Sequence, residues 1–326
     1  FSDEYLMTTL SIRDVFTICN KLRASGERVI DAHIGAPSHE PPVPVEEVLR
    51  ELKGVGRSYT PFAGLDSVRK AAAEFLNKIL GLEEDYRRVV ITASGVHGLF
   101  VSFRLFSKGE VLIPKPGFPM YFIQAEKLGL KTRVYNPLAE DLVSEILGKV
   151  GSETSMVLIN YPHNPTGHCI SSKEIIELWE ELKKKSVTLV NDFVYHEIYY
   201  FEKLPPVGDV IIDSMSKSFS LPGLRIGILY FNDVELANKA ARTVYYTTAG
   251  SSDVSQRIAE VMMEKAYEEY FEKVRGYYRA RRDIIYSELK KAGFEVVEPR
   301  GAFYIFASHP KIDDMNELAK RLLNPE

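Results

Sequence analysis

The chain has little cysteine and no long run of apolar residues. It carries two cysteines, Cys19 and Cys169, among 326 residues. Two cysteines do not make a disulfide framework, so we expect reduced thiols in a cytoplasmic protein. The longest uncharged apolar segment, residues 89–103, contains serine, threonine, glycine and histidine. This composition predicts strand, turn and helix rather than a membrane span, and the chain opens without a signal-peptide pattern.

The chain also lacks an excess of either charge. Forty-one basic and 45 acidic residues are interspersed and leave a net charge of -4. Nucleic-acid binding needs a basic face, so this balance predicts no nucleic-acid partner. With 45% hydrophobic residues, the chain is able to bury a large core, and its length predicts two domains.

Apolar, β-branched segments alternate with helix-length segments through most of the chain. The predicted strands are residues 89–92, 111–114, 132–135, 156–160, 187–191, 210–213 and 226–231. Buried strands that alternate with helices predict an α/β fold with a mostly parallel, seven-stranded sheet covered by helices on both faces. Helices are predicted at residues 12–26, 43–52, 65–80, 254–291 and 315–323, and two further strands at residues 294–297 and 302–306.

These elements suggest a division of the chain into a large and a small domain. We expect residues 35–245 to form the large cofactor-binding domain. Residues 246–326 would form a smaller α+β domain that is incomplete in this chain. Residues 1–34 would be an N-terminal segment that packs with the small domain.

The most informative segment follows the strand at residues 210–213. It places Ser214, Ser216 and Lys217 together, with Arg225 eight residues after the lysine. A partly desolvated lysine can condense with an aldehyde through its neutral amine. Arginine stays charged and offers a planar fork suited to phosphate oxygens. An aldehyde and a phosphate on one small molecule describe pyridoxal 5'-phosphate.

Three polar residues each follow a predicted strand. In open α/β sheets ligands bind beyond the carboxyl ends of the strands, so we expect Asn164, Asp192 and Lys217 to converge. A carboxylate at the end of an apolar strand is costly unless it is paired. Asp192 is therefore a candidate partner for a pyridinium nitrogen; capping of the following turn is the alternative.

A glycine-containing turn follows the strand at residues 89–92 and precedes a helix. Ser94, Gly95 and Val96 lie in this turn. The start of a helix offers free backbone amides and a positive dipole end to an anion. The turn is a candidate anion site, although simple chain reversal also explains such turns.

In order and spacing, these motifs resemble the fold-type I pyridoxal phosphate enzymes, specifically the class I/II aminotransferases related to aspartate aminotransferase. The resemblance rests on the Asn-Pro-Thr-Gly run from Asn164, on Asp192-x-x-Tyr195, and on Ser214-x-x-Lys217 with Arg225. It implies that Lys217 holds the cofactor as an aldimine. It also implies that Tyr195 and Asn164 donate hydrogen bonds to the ring's phenolic oxygen.

The resemblance extends these roles to further positions. It implies a phosphate site made by Ser94, Gly95, Val96, Ser214 and Arg225. Phe118 would lie against the pyridine ring, with Tyr121 as a second candidate. Gly35, with Asn164, would contact the substrate. Tyr59 would reach the phosphate of the other subunit, so a homodimer is expected. We assign no role to His33, which lies beside Gly35.

We therefore predict an aminotransferase that moves an amino group from an L-amino acid to a 2-oxo acid by a ping-pong mechanism, with aspartate as first candidate donor and alanine or aromatic amino acids next. The resemblance also implies an arginine for the substrate α-carboxylate, C-terminal to Glu326. Two alternatives stay open: a β-lyase or decarboxylase of the same fold, and a non-catalytic regulatory ligand-binding module. No metal is expected.

Overall fold

The computed structural model describes residues 12–106 and 108–323. Seven strands in this part of the chain form one sheet, in the order β1-β7-β6-β5-β4-β2-β3. The strands are β1 (Val89–Thr92), β2 (Glu110–Pro114), β3 (Lys131–Tyr135), β4 (Thr154–Ile159), β5 (Thr188–Asp192), β6 (Val210–Ser214) and β7 (Gly227–Phe231). The predicted seven-stranded α/β fold is confirmed.

Strands β2 to β6 run parallel to one another, whereas β7 is antiparallel to both β6 and β1. The sheet is therefore mixed but mostly parallel, as predicted. Within the pairs that β7 makes, Gly227 lies opposite Ser214 at the end of β6 and opposite Thr92 at the end of β1. The carboxyl ends of β1 and β6 and the start of β7 thus share one edge of the sheet.

Helices cover both faces of the sheet. They are α1 (Ile12–Ala24), α2 (Val45–Glu51), α3 (Asp66–Leu80), α4 (Gly95–Leu105), α5 (Pro119–Lys127), α6 (Leu142–Leu147), α7 (Ser172–Lys184), α8 (Val234–Thr248), α9 (Asp253–Lys265), α10 (Glu268–Lys291) and α11 (Met315–Leu322). Buried residues of α3, α6, α7 and α9 pack on one face, and those of α4, α5 and α8 on the other. Strand β4 shows the alternation: Val157 and Ile159 join the first core, and Met156 and Leu158 the second.

The helical region predicted over residues 254–291 is interrupted once. The segment forms two helices, because Ala266 and Tyr267 adopt extended backbone conformations between α9 and α10. Ala266 is fully buried in the core. The chain changes direction at this break, so that α9 packs with α3 in one core and α10 begins a separate helix.

The prediction of a strand over residues 302–306 is wrong. Ala302 has a left-handed φ of 55°, and its backbone bonds go to the segment after β5. Its N–H donates to the Ile198 carbonyl, and its own carbonyl accepts from the Tyr200 hydroxyl. Pairing occurs instead between β8 (Glu295–Val296) and β9 (Ala307–Ser308), in a small antiparallel ribbon.

Both cysteines are buried and free. Within residues 12–106 and 108–323, no helix combines the length and the apolarity needed to cross a membrane. The division into domains at residues 35 and 246 stays a prediction.

Candidate active site

A cavity of about 460 Å³ lies beyond the carboxyl ends of the parallel strands. All but one of the residues that the sequence analysis singled out as site residues line it. They are Gly35, Ser94, Gly95, Val96, Phe118, Asn164, Asp192, Tyr195, Ser214, Lys217 and Arg225. The cavity lies where β5 and β6 end and β7 begins, which is the position that the strand order predicts for a ligand site.

Asp192, the last residue of β5, forms the acidic end of the cavity. The Tyr121 hydroxyl donates to its Oδ2 at 2.6 Å. Its Oδ1 is buried and finds no hydrogen-bond partner among the residues that the structure describes. Burial raises the pKa of Asp192 to about 6, although the Tyr121 hydrogen bond, the Val194 backbone N–H and the positive charge of Lys217 act in the opposite direction. This oxygen is therefore free to accept a hydrogen bond from a bound ligand.

Lys217 provides the amine of the cavity. Its Nζ donates to the Gly35 carbonyl at 2.6 Å and lies 5.7 Å from the centre of the Tyr195 ring. Burial lowers the pKa of Lys217 to about 8; the Asp192 charge raises it and the Arg225 charge lowers it further. With this pKa about a tenth of the amine is neutral at pH 7, far more than for an ordinary lysine, and the neutral form is the nucleophile and base.

Strand β1 leads into the anion end of the cavity. Ser94 follows the strand and caps α4, since its hydroxyl accepts a hydrogen bond from the backbone N–H of His97 at 3.0 Å. The first helical amides therefore face the cavity with the positive end of the helix dipole. Ser214 closes the other side: a Cβ built on Gly95 would lie 3.4 Å from the Ser214 Cβ.

Arg225 supplies a permanent cation beside these amides. It ends a short 3₁₀ turn with a left-handed φ of 55°, and its Nη1 donates to the Pro222 carbonyl at 2.7 Å. Two residues later, Gly227 allows the strand to approach the Ser94 loop. A Cβ at Gly227 would lie only 2.4 Å from the Ser94 backbone. Only glycine fits here without displacing the loop.

Hydrogen bonds between loops fix the remaining polar groups. The Asn160 side chain donates to the Asp192 carbonyl at 2.7 Å and accepts from the Asn164 backbone N–H at 2.9 Å. It thereby ties the loop after β4 to the end of β5. The Tyr195 hydroxyl lies 3.4 Å from the Asn164 amide and 2.7 Å from the Tyr304 hydroxyl.

Sequence reasoning missed two contacts of the site. The sequence predicts Tyr121 only as a neighbour of the cofactor ring, but its hydroxyl donates the hydrogen bond that holds Asp192. Tyr304 received no role, yet it lines the cavity and contacts Tyr195. The position of Tyr121, three residues after Phe118 and thus within one helical turn, was the available signal for the first contact; none pointed to the second.

Tyr59 and His33 differ from the residues above in their relation to the cavity. Tyr59 does not line the cavity, and 94% of its surface is exposed. Its expected contact with a second subunit stays a prediction. His33 does line the cavity, and its Nδ1 lies 3.8 Å from the Cys19 sulfur.

Comparisons with known proteins agree on one family. The family model for aminotransferase class I and II matches residues 28–326. An aspartate aminotransferase from Pyrococcus horikoshii is 28% identical over 317 residues, which cover 92% of this chain and 80% of the relative. One from Sulfurisphaera tokodaii is 30% identical over 319 residues, covering 92% and 78%. The solved structure of aspartate aminotransferase from Thermus thermophilus with maleate superposes with a TM-score of 0.88, at 23% identity, over 99% of this chain and 89% of that one. At that identity, the superposition shows the fold.

Proposed function

This chain belongs to the class I and II aminotransferase family, and on that premise we propose that its cavity binds pyridoxal 5'-phosphate through the residues described above. The family uses this cofactor. The observation that carries the proposal is the pairing of a buried, unsatisfied carboxylate oxygen on Asp192 with a lysine of lowered pKa in the same cavity. A pyridine ring with an aldehyde offers one partner to each.

The donors in the cavity suit the other groups of the cofactor. Ser94, Gly95, Val96, Ser214 and Arg225 would hold the phosphate with hydroxyls, backbone amides and one guanidinium. Tyr195 and Asn164 would donate to the phenolic oxygen. Phe118, whose ring meets that of Tyr121 edge to face at 5.6 Å, would pack against the cofactor ring.

When bound, pyridoxal phosphate supplies an electron sink for the substrate's α-carbon. The protein's part is to place and move protons. Asp192 would keep a proton on the ring nitrogen, because a carboxylate within contact of a pyridinium stabilises its charged form. The Lys217 amine would serve as the base for the substrate's α-proton and as the group that carries that proton within the cavity.

We propose aspartate as the amino-group donor and a 2-oxo acid as the acceptor. Support comes from the two relatives described above, both aspartate aminotransferases. Alanine and aromatic amino acids are the next candidates, since an alanine aminotransferase from Pyrococcus furiosus and an aromatic aminotransferase from Pyrococcus horikoshii are also similar in fold.

A panel of single half-reactions tests this assignment. The protein loaded with pyridoxal phosphate is mixed with one L-amino acid at a time, without oxo acid, while its spectrum is recorded. We expect aspartate to convert the cofactor to the pyridoxamine form with the highest second-order rate constant among the amino acids of the panel. Release of ammonia or carbon dioxide on every turnover would instead identify a lyase or a decarboxylase, and faster conversion by another amino acid would replace aspartate as donor.

We also propose that the active protein is a homodimer in which Tyr59 reaches the phosphate of the partner's site. Its nearly complete exposure is what a side chain awaiting a second subunit would show. A mixing experiment tests the arrangement with two weakened variants, Tyr59→Ala and Lys217→Ala. Mixed dimers contain one site with both native residues, so refolding the two together should restore tight cofactor binding and activity at that site. Mixtures no more active than the separate variants would contradict the proposal.

A further inference from the structure

A buried cluster of charged side chains lies directly behind the active site. At its centre, His196 is held between two carboxylates: its Nε2 lies 3.2 Å from Asp213 Oδ2 and its Nδ1 3.1 Å from Glu197 Oε1. All three side chains are at most 1% exposed. His196 and Asp213 directly adjoin two residues of the cavity, Tyr195 and Ser214.

On the outer side of the cluster, two cations balance the negative charge of Glu197. Glu197 receives Arg275 Nη1 at 3.0 Å and Lys203 Nζ at 2.8 Å, and Arg275 also contacts Glu268. These cations lie on the Glu197 side. Within the part of the chain that the structure describes, the ion pair recorded for Asp213 is the one with His196.

His196 carries a positive charge at neutral pH. Burial lowers its pKa, but the Asp213 and Glu197 carboxylates outweigh burial and raise it to about 9. The charge in turn helps to lower the pKa of Glu197 against the effect of burial. A neutral side chain at position 196 would leave a buried carboxylate without its counter-charge, which is costly.

The uncompensated charge would act on the active site. Asp192 pairs with Ile212 across β5 and β6, so Asp213 is the next residue along the neighbouring strand. The negative charge of Asp213 raises the pKa of Asp192, while Lys217 and the Tyr121 hydroxyl lower it. Tyr195 and Tyr304 are the other titratable groups that sense the Asp192 charge.

From this geometry we propose that His196 is a positioning residue whose positive charge offsets that of Asp213 and so keeps Asp192 ionised toward the cofactor ring. The inference rests on the proposed cofactor role of Asp192. His196 itself does not line the cavity; it acts through its neighbour on β6.

The pH dependence of cofactor binding tests the proposal. The dissociation constant of the apoprotein for pyridoxal phosphate is measured by fluorescence quenching between about pH 5 and 9. Binding should weaken at acid pH as Asp192 takes up a proton. In His196→Asn, the midpoint of this acid limb should move upward by about one pH unit, because a like charge nearby favours the protonated carboxyl. The phosphate also titrates near pH 6, but equally in every variant.

Removal of the second charge separates electrostatics from packing. In the double variant His196→Asn with Asp213→Asn, the acid limb should return close to its wild-type position. His39→Asn is the matched control: His39 is also buried and hydrogen-bonded, but burial lowers its pKa, so it is neutral at neutral pH. This control should lower the melting temperature without moving the limb.

Three outcomes overturn the inference: an unmoved limb in His196→Asn, a shift equalled by His39→Asn, or a double variant that shifts as far as the single one. Asp192→Asn distinguishes these from failure of the proposed function. Only the titration of the phosphate is left in Asp192→Asn. If the wild-type limb has the same midpoint and depth as the limb of Asp192→Asn, Asp192 does not contribute to it, and the cofactor assignment of that residue fails first.

Discussion

Replacement of Lys217 by alanine should abolish the visible absorbance that pyridoxal phosphate gives with the wild-type protein and should lower turnover by at least about 10⁴-fold. Both effects follow from loss of one amine that serves as nucleophile and as proton carrier. The lysine is half-buried and senses the charges of Asp192 and Arg225, and its lowered pKa of about 8 keeps part of it neutral. Absorption spectra and single-turnover rates with aspartate are the measurements.

The companion variant Lys217→Arg separates charge from chemistry. Arginine keeps the cation but does not lose its proton in proteins, so it should be as inactive as alanine. Added methylamine should restore part of the rate to Lys217→Ala, because a free amine can enter the space left by the side chain and carry the proton. Normal turnover in either variant would refute the assignment of Lys217.

Replacement of Asp192 by asparagine should lower the rate of the half-reaction by about 10²- to 10⁴-fold. The asparagine amide keeps the shape of the side chain but has no charge to hold a proton on the ring nitrogen, so the ring becomes a poorer electron sink. The rate constant with saturating aspartate, measured by stopped-flow absorbance, reports the loss. A half-reaction rate constant equal to or greater than that of the wild type would show that Asp192 has no part in the mechanism.

Tyr121→Phe is the matched control for this experiment. It removes the hydrogen bond to the same carboxylate while leaving the charge. Because that bond lowers the pKa of Asp192, its loss should move the acid limb of activity upward and cost no more than about 10- to 100-fold. A variant as damaged as Asp192→Asn would indicate that Tyr121 does more than hold the carboxylate.

The sheet edge was predictable from sequence because it depends on local patterns. Apolar β-branched strands followed by Asp192 or by the Lys217 segment leave few possible arrangements in a parallel sheet. The hydrogen bond between Tyr195 and Tyr304 was not predictable, since 109 residues separate the two. Such a contact depends on how the C-terminal part of the chain packs.

In two segments, tertiary contacts outweigh the local preference that the sequence indicates. Residues 302–306 have the composition of a strand, but hydrogen bonds with Ile198 and Tyr200 draw Ala302 into a left-handed turn. The sequence of residues 254–291 predicts a helical region, but Ala266, which is buried in the core, and Tyr267 adopt extended backbone conformations between two helices. Propensity describes the isolated segment, and packing decides between its alternatives.

The reversed direction of β7 determines where the guanidinium of Arg225 can act. Arg225 precedes its strand, whereas Asp192 and Ser214 end theirs, yet the antiparallel pairing of Gly227 with Ser214 sets all of them on one rim. If β7 ran the other way, a five-residue strand would carry Arg225 to the opposite rim, about 16 Å away. The reversed direction of β7 thus places the Arg225 guanidinium, which precedes its strand, beside residues that follow theirs. A cation at that position can neutralise an anion bound at the carboxyl ends of the other strands.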